Sequence, residues 1–195
     1  PSNSSKKPVH NGVNQLRIIG GEWRSRRLSF PDAPGLRPTP DRVRETLFNW
    51  LQPRIEGARV LDLFAGSGAL GMEALSRGAA HVTFIEKHRR AATAIDALAR
   101  EWRETALSVE SVDALGWLEK QASPAAFDLV FVDPPYDANL LAPALEIMAR
   151  RGLLRPDARV YLEHRAREAL PELPQGWKTV RDGRAGEVGY HLLAT

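Results

Sequence analysis

The chain has 195 residues, 43% apolar and 26% charged, which suits one soluble globular domain with a sizeable core and at most a small extension. It contains no cysteine, which excludes a disulfide framework and thiolate chemistry, and its five histidines are scattered without metal-ligand spacing, so no metal is expected. No apolar run nears the roughly 20 residues that span a bilayer, and the polar residues 1–8 lack an apolar signal core, so a cytoplasmic protein is expected.

The net charge of +3 is unevenly spread. Residues 1–54 carry ten Lys/Arg against four acids, a balance of +6 that leaves −3 for the remainder. A basic front on a mildly acidic body implies a polyanionic partner met by one face.

Residues 1–15 are rich in Ser, Asn and Lys and read as a disordered tail. From Leu16 to Phe30 the pattern predicts two short strands around Gly20-Gly21, a hairpin bearing arginines. A proline-rich connector, residues 31–40, leads to a helix with Thr39 as its expected N-cap and Pro40 at its first position. Val43, Leu47, Trp50 and Leu51 recur at helical spacing, which leaves Arg42 and Glu45 outside. Residues 16–54 thus form a basic extension ahead of a main domain, residues 55–195.

The main domain alternates strand and helix. Strands are predicted at 59–64, 81–86, 107–112, 127–133 and 158–163, with helices near 68–77, 88–103, 113–121 and 138–150. This is the grammar of an α/β fold, a parallel sheet covered on both faces. Residues 177–181 and 187–193 then flank a Gly-rich turn and predict a closing antiparallel hairpin.

Gly66, Gly68 and Gly71 follow the first of these strands in G-x-G-x-x-G spacing, and Glu86 ends the second strand. Spacing alone fits a dinucleotide fold, in which the acid reaches a ribose hydroxyl. Asp62, however, sits at the turn where a pyrophosphate would be repelled, and it suits a cationic amino-acid end instead. Asp113 closes the third strand and suits an adenine amine. A ligand with ribose, adenine and an ammonium but no phosphate is S-adenosylmethionine.

The fourth strand runs into Asp133-Pro134-Pro135-Tyr136. A carboxylate and a carbonyl held by two fixed-φ prolines, beside an aromatic face, can grip a flat ring through its exocyclic amine. Asp133 and the Pro134 carbonyl would accept the amine hydrogens, and Tyr136 would stack on an extruded base. Arg24, Arg26, Arg27, Arg37, Arg42 and Arg44 are the candidate RNA-phosphate contacts. Trp23 and Phe30 fit core positions better than base-stacking ones.

The segments Asp62–Gly68, Glu86 and Asp133–Tyr136 resemble class I S-adenosylmethionine-dependent methyltransferases acting on exocyclic amines. Arg17–Gly21 and Leu36–Leu51, with Gly186–Tyr190 near the end, resemble more narrowly the bacterial 16S rRNA guanine-N2 methyltransferases of the RsmD family. The resemblance spans about residues 16–194. It implies a Rossmann-like, seven-stranded, mostly parallel sheet, with the third main-domain strand at one edge and the C-terminal hairpin at the other. It also implies cofactor contacts from Thr39, Asp62, Phe64, Ala65, Gly66, Ser67, Gly68, Glu86, Lys87, Asp113, Ala114 and Asp133. The implied substrate is guanine-966 of 16S rRNA in the small ribosomal subunit or its late precursor, and a monomer is expected. Many relatives carry Phe where this chain has Tyr136, a ring that also occurs in adenine-N6 DNA methyltransferases. The residues therefore leave open an adenine-N6 or cytosine-N4 methyltransferase of DNA or another RNA, an NAD-dependent oxidoreductase, and a non-catalytic RNA-binding protein.

Overall fold

A computed structural model describes residues 13–33 and 35–195. The chain opens with an antiparallel pair, β1 (Val13–Arg17) and β2 (Arg27–Pro31), followed by α1 (Asp41–Ile55). The main sheet follows as β3 (Arg59–Asp62), α2 (Ala69–Ser76), β4 (His81–Ile85), α3 (Arg89–Trp102), β5 (Leu107–Glu110), α4 (Ala114–Lys120) and β6 (Phe127–Val132). It is completed by α5 (Leu141–Arg150), β7 (Leu154–Arg165), β8 (Lys178–Ala185) and β9 (Val188–Ala194).

The seven strands lie in the order β5-β4-β3-β6-β7-β9-β8. The first five are parallel neighbours, and β9 inserts antiparallel between β7 and β8. The third main-domain strand and the C-terminal hairpin therefore occupy the two edges, as the resemblance implies.

The strands read as near-continuous apolar runs because both faces are covered. Val60, Val82, Phe84, Leu129 and Phe131 face one cluster, shared with α1, α2, α3 and the N-terminal hairpin. Leu61, Leu63, Val130, Val132 and Val160 face the other, under α4 and α5. The N-terminal extension contributes Ile18, Trp23, Leu28, Phe30, Leu47 and Phe48 to the first cluster, and Phe48 meets Phe131 edge-on at 5.9 Å. Trp23 and Phe30 are core residues, as expected from the sequence.

Several local expectations change. Strand β1 begins at Val13, while residues 1–12, where most of the expected disordered tail falls, lie outside the described residues. Gly20-Gly21 is not a hairpin turn. A nine-residue excursion, residues 18–26, joins β1 to β2 and docks on α2, where Glu22 N–H donates to the Ser76 carbonyl at 2.8 Å. Thr39 does not cap α1: Pro40 occupies that position with no side-chain cap, because the Thr39 hydroxyl is turned into the main domain. Finally, β8 runs on through Asp182–Ala185, so the closing turn is shorter than the Gly-rich segment suggested.

Candidate active site

The carboxyl ends of β3, β4, β6 and β7 converge on one cavity of about 450 Å³, the usual place for a ligand in a doubly wound sheet. The sheet reverses strand order between β3 and β6, and the loops leaving these two strands diverge there. Asp62, Phe64, Ala65, Gly66, Ser67, Glu86, Lys87, Asp113 and Ala114 all line the cavity, together with Thr39 and Asp133–Tyr136.

The glycine turn is held from beneath. The Asp62 carboxylate accepts the Gly71 amide at 3.0 Å. One Glu86 oxygen accepts the Gly66 amide at 2.8 Å and the other accepts the His88 amide at 2.7 Å. Burial raises the Asp62 pKa to about 7, with nearby Glu86 adding to the rise and the Gly71 amide opposing it. An acid under the first turn of α2 leaves no seat for a pyrophosphate, which counts against the dinucleotide alternative.

Gly68 does not itself line the cavity. It takes φ +78° as the N-cap of α2, and a Cβ there would press to 3.0 Å from Ile95. Gly71 similarly serves close helix–strand packing, since a Cβ would fall 2.2 Å from the Phe84 ring. Asp113 both lines the cavity and caps α4, accepting the Gly116 amide at 2.9 Å.

At the far wall, Asp133 leaves β6 half-buried, with Pro134 buried behind it and Pro135 exposed. Burial, then the negative charges of Glu163 and Asp62, hold the Asp133 carboxyl well above the ordinary carboxylate range. The half-buried Tyr136 ring has the Arg165 guanidinium over one face, 5.5 Å from its centre. Burial and the Asp133 and Glu163 charges push its phenol up to about 12, so it stays neutral.

Three residues at this site were missed in the sequence: Glu163, Tyr161 and Arg165. Glu163 is 3% exposed and lines the cavity. Its Oε1 accepts the Thr39 hydroxyl at 2.7 Å and the Tyr161 phenol at 2.8 Å, and the same Thr39 hydroxyl stands 3.5 Å from Asp133. The available signal was the strand predicted at 158–163, whose last residue is an acid like those at the loop ends of β3, β4 and β6, although β7 itself runs on to Arg165.

The arginines divide into three groups. Arg37 lines the cavity mouth and is exposed, and Arg42 is exposed on the first turn of α1 beside it. Arg24, Arg26 and Arg27 are exposed at the opposite end of the sheet, where Arg26 covers the Trp102 ring at the end of α3 at 5.5 Å. Arg44 does not belong to a solvent-facing set at all. It is fully buried, donating to the carbonyls of Thr39 and Arg17 at 3.2 and 2.9 Å, and it pairs with Asp41 and Glu73.

A Rossmann-like sheet with this strand order, strand-end acids around a glycine turn, and Asp-Pro-Pro-Tyr across the cavity define a class I S-adenosylmethionine-dependent methyltransferase. Among the described residues no helix is long and apolar enough to cross a membrane. The chain belongs to the family described as Conserved hypothetical protein 95, which it matches over residues 16–194. It is 46% identical over 187 residues to the ribosomal RNA small subunit methyltransferase D of Escherichia coli K12, covering 96% of this chain and 93% of that one. A solved structure described as the putative methyltransferase yhhF of Escherichia coli superposes with a TM-score of 0.83 at 42% identity, over 93% of this chain and 98% of that one. The fold extends to a Thermus thermophilus 16S rRNA N2 G1207 methyltransferase solved with AdoMet and guanosine (TM-score 0.63, 21% identity, 94% of this chain and 50% of that one).

Proposed function

We propose that this chain methylates the exocyclic N2 amine of a guanine in 16S rRNA, guanine-966 by family resemblance, within the small ribosomal subunit or its late precursor. The observation that carries this reading is the single cavity lined at one side by Asp62, Gly66 and Glu86 and at the other by Asp133, Pro134 and Tyr136. The Escherichia coli relative is named for small-subunit rRNA, which supports the substrate class.

Bound S-adenosylmethionine supplies an electrophilic methyl on a sulfonium. Asp62 offers its charge to the cationic amino-acid end, and Glu86 retains lone pairs for ribose hydroxyls beyond the two amides it already accepts. Asp113 remains available to the adenine amine, since its cap uses one oxygen.

The N2 amine of guanine is a weak nucleophile because its lone pair is delocalised into the ring. The Asp133 carboxylate and the Pro134 carbonyl would accept its two hydrogens, turning the nitrogen toward sp³ and aiming the lone pair. Positioning then supplies much of the rate. After methyl transfer the cationic nitrogen sheds one proton to Asp133, a carboxyl whose burial and acidic neighbours favour holding it. Tyr136, neutral and steadied by Arg165, would stack on the extruded base. Arg37 and Arg42 beside the mouth fit RNA phosphates near the target, and Arg24, Arg26 and Arg27 fit phosphates farther along.

The test is incubation with labelled S-adenosylmethionine and small subunits lacking endogenous methylation, followed by mapping of the label. Label on a guanine N2 in 16S rRNA supports the reading, and label confined to DNA, tRNA or an adenine overturns it. Asp133→Ala should lose at least tenfold in turnover, about 1.4 kcal/mol or more, while cofactor affinity stays nearly constant.

A further inference from the structure

Asp133 and Pro134 account for the amine but not for the base that carries it, since adenine, cytosine and guanine all present an exocyclic amine. What differs is the ring atom next to that amine. In guanine the neighbour N1 bears a hydrogen, whereas N1 of adenine and N3 of cytosine bear lone pairs. A site that reads this atom separates guanine from both.

Glu163 has the properties of such a reader. It is buried at the cavity end of β7, and it lines the cavity alongside Asp133, Pro134 and Tyr136. It also lines a smaller adjoining cleft of about 170 Å³ bounded by Pro134, Pro135 and Tyr136. Both of its hydroxyl donors, Thr39 and Tyr161, fall on Oε1 and fix the plane of the carboxyl; burial raises its pKa, and these two hydrogen bonds oppose the rise. The remaining polar neighbour is Asp133, which can share one proton with it. Two adjacent carboxyls with a single proton between them lack donors, and an incoming edge carrying two adjacent N–H groups would supply them.

We propose that Glu163 is the specificity-determining residue, accepting the N1–H of guanine beside the N2 amine held at Asp133. This rests on the guanine-N2 reading above. For adenine or cytosine the same carboxylate oxygen would face a lone pair, leaving a buried acceptor unpaired and repelled. Hydrogen bonding of N1–H to a carboxylate also returns electron density to the ring, which lessens the pull on the N2 lone pair.

The test uses 2-aminopurine, which keeps the amine on C2 but has a lone pair at N1. Small subunits are reconstituted with RNA carrying guanine or 2-aminopurine at the position mapped for the wild type. The wild type should prefer guanine by about 10²-fold or more in kcat/KM, as expected when a hydrogen-bonding site meets an analogue lacking the group. Glu163→Gln can turn an amide N–H toward the bare ring nitrogen, so the preference should fall below about tenfold, with cofactor affinity and melting temperature measured alongside. A wild-type preference near one overturns the proposal whether or not the variant folds. A folded variant that slows both substrates equally also overturns it, because a purely structural role would do that. The guanine-N2 reading stands in both cases provided the wild type labels guanine N2, and it falls together with the proposal if no guanine is labelled.

Discussion

The Glu73 carboxylate lies 3.6 Å from the Arg44 guanidinium, and neither side chain has any solvent exposure. Glu73 also accepts the amides of Ile19 and Gly20 at 2.9 and 2.8 Å and the Arg77 guanidinium at 2.9 Å. Arg44 in turn holds the Thr39 carbonyl at 3.2 Å. One buried ion pair therefore joins α2, the N-terminal excursion and α1, and it reaches the residue that stands between Asp133 and Glu163. The basic extension is fastened to the main domain by charges that the partner never meets.

Removing half of this pair should cost far more than replacing both halves. Glu73→Gln leaves buried Arg44 with only the largely exposed Asp41 as counter-charge and takes the partner from Arg77, and a loss of about 3–5 kcal/mol in unfolding free energy is expected. The double variant Arg44→Met with Glu73→Gln removes both charges, keeps a carbonyl acceptor for the Ile19 and Gly20 amides, and should recover part of that loss. Urea denaturation of the two variants measures both effects. A loss below about 1 kcal/mol for Glu73→Gln would show that the pair is not a fastener.

Arg37 and Arg42 should account for salt-dependent RNA capture near the cavity. Each phosphate contact on a single strand contributes about 0.7 to the slope of log K against log salt. Arg37→Ala with Arg42→Ala should thus flatten the slope by about 1.4 while leaving the melting temperature close to wild type. An unchanged slope would place the RNA elsewhere. The same measurement on Arg24→Ala with Arg26→Ala decides whether RNA reaches the opposite end of the sheet.

Asp62 makes cofactor binding proton-linked. Its folded pKa of about 7 lies above the 3.8 of an unperturbed Asp, so the native state holds a proton that the unfolded chain has already lost. Stability from this group is complete below pH 4 and declines as pH rises toward 7, by roughly 1.4 kcal/mol per unit. A cationic ligand end at Asp62 lowers its pKa again, so binding at pH 7 should release about half a proton. Calorimetry in buffers of different ionisation enthalpy reads this directly. Asp62→Asn should abolish the difference between buffers, and equal enthalpies for the wild type would remove Asp62 from the cofactor's charged end.

Much of this site was visible as a series of strand-end acids, because parallel strands covered on both faces leave their loops as the natural place for polar groups. The burial of Arg44 was harder to see, although Arg44, Phe48, Leu51 and Ile55 share one helical stripe. Its charge suggested solvent, and the acid that answers it, Glu73, sits 29 positions away as the one charged residue of α2. Gly20-Gly21 invited a turn for a similar reason, since the true constraint is close approach of Gly21 to Ser76 and of Gly20 to Arg77, at the far end of α2. Glu163 escaped notice because its partners, Thr39 and Asp133, come from remote segments that only the fold brings together.

The C-terminal hairpin carries a separate pH dependence. His164 on β7 and His191 on β9 stack with ring centres 5.0 Å apart, and their Nε2 atoms approach to 2.9 Å. Only one hydrogen can lie between those nitrogens, so one ring donates and the other accepts. Burial and then the His164 charge hold the His191 pKa below 6.5, with Asp182 on β8 opposing them. The unfolded chain accordingly takes up a proton that folded His191 refuses. This contribution is present above the unfolded pKa and is lost as pH falls from there through the lower folded pKa. Wild-type stability should therefore drop more steeply between pH 7 and pH 5 than that of His191→Phe, in which only one imidazole remains. The loss should appear first as faster hydrogen exchange at the β7–β9 amides, because protonation strains that pairing before the rest of the sheet. Parallel stability curves for the two proteins would remove His191 as a source of the pH dependence.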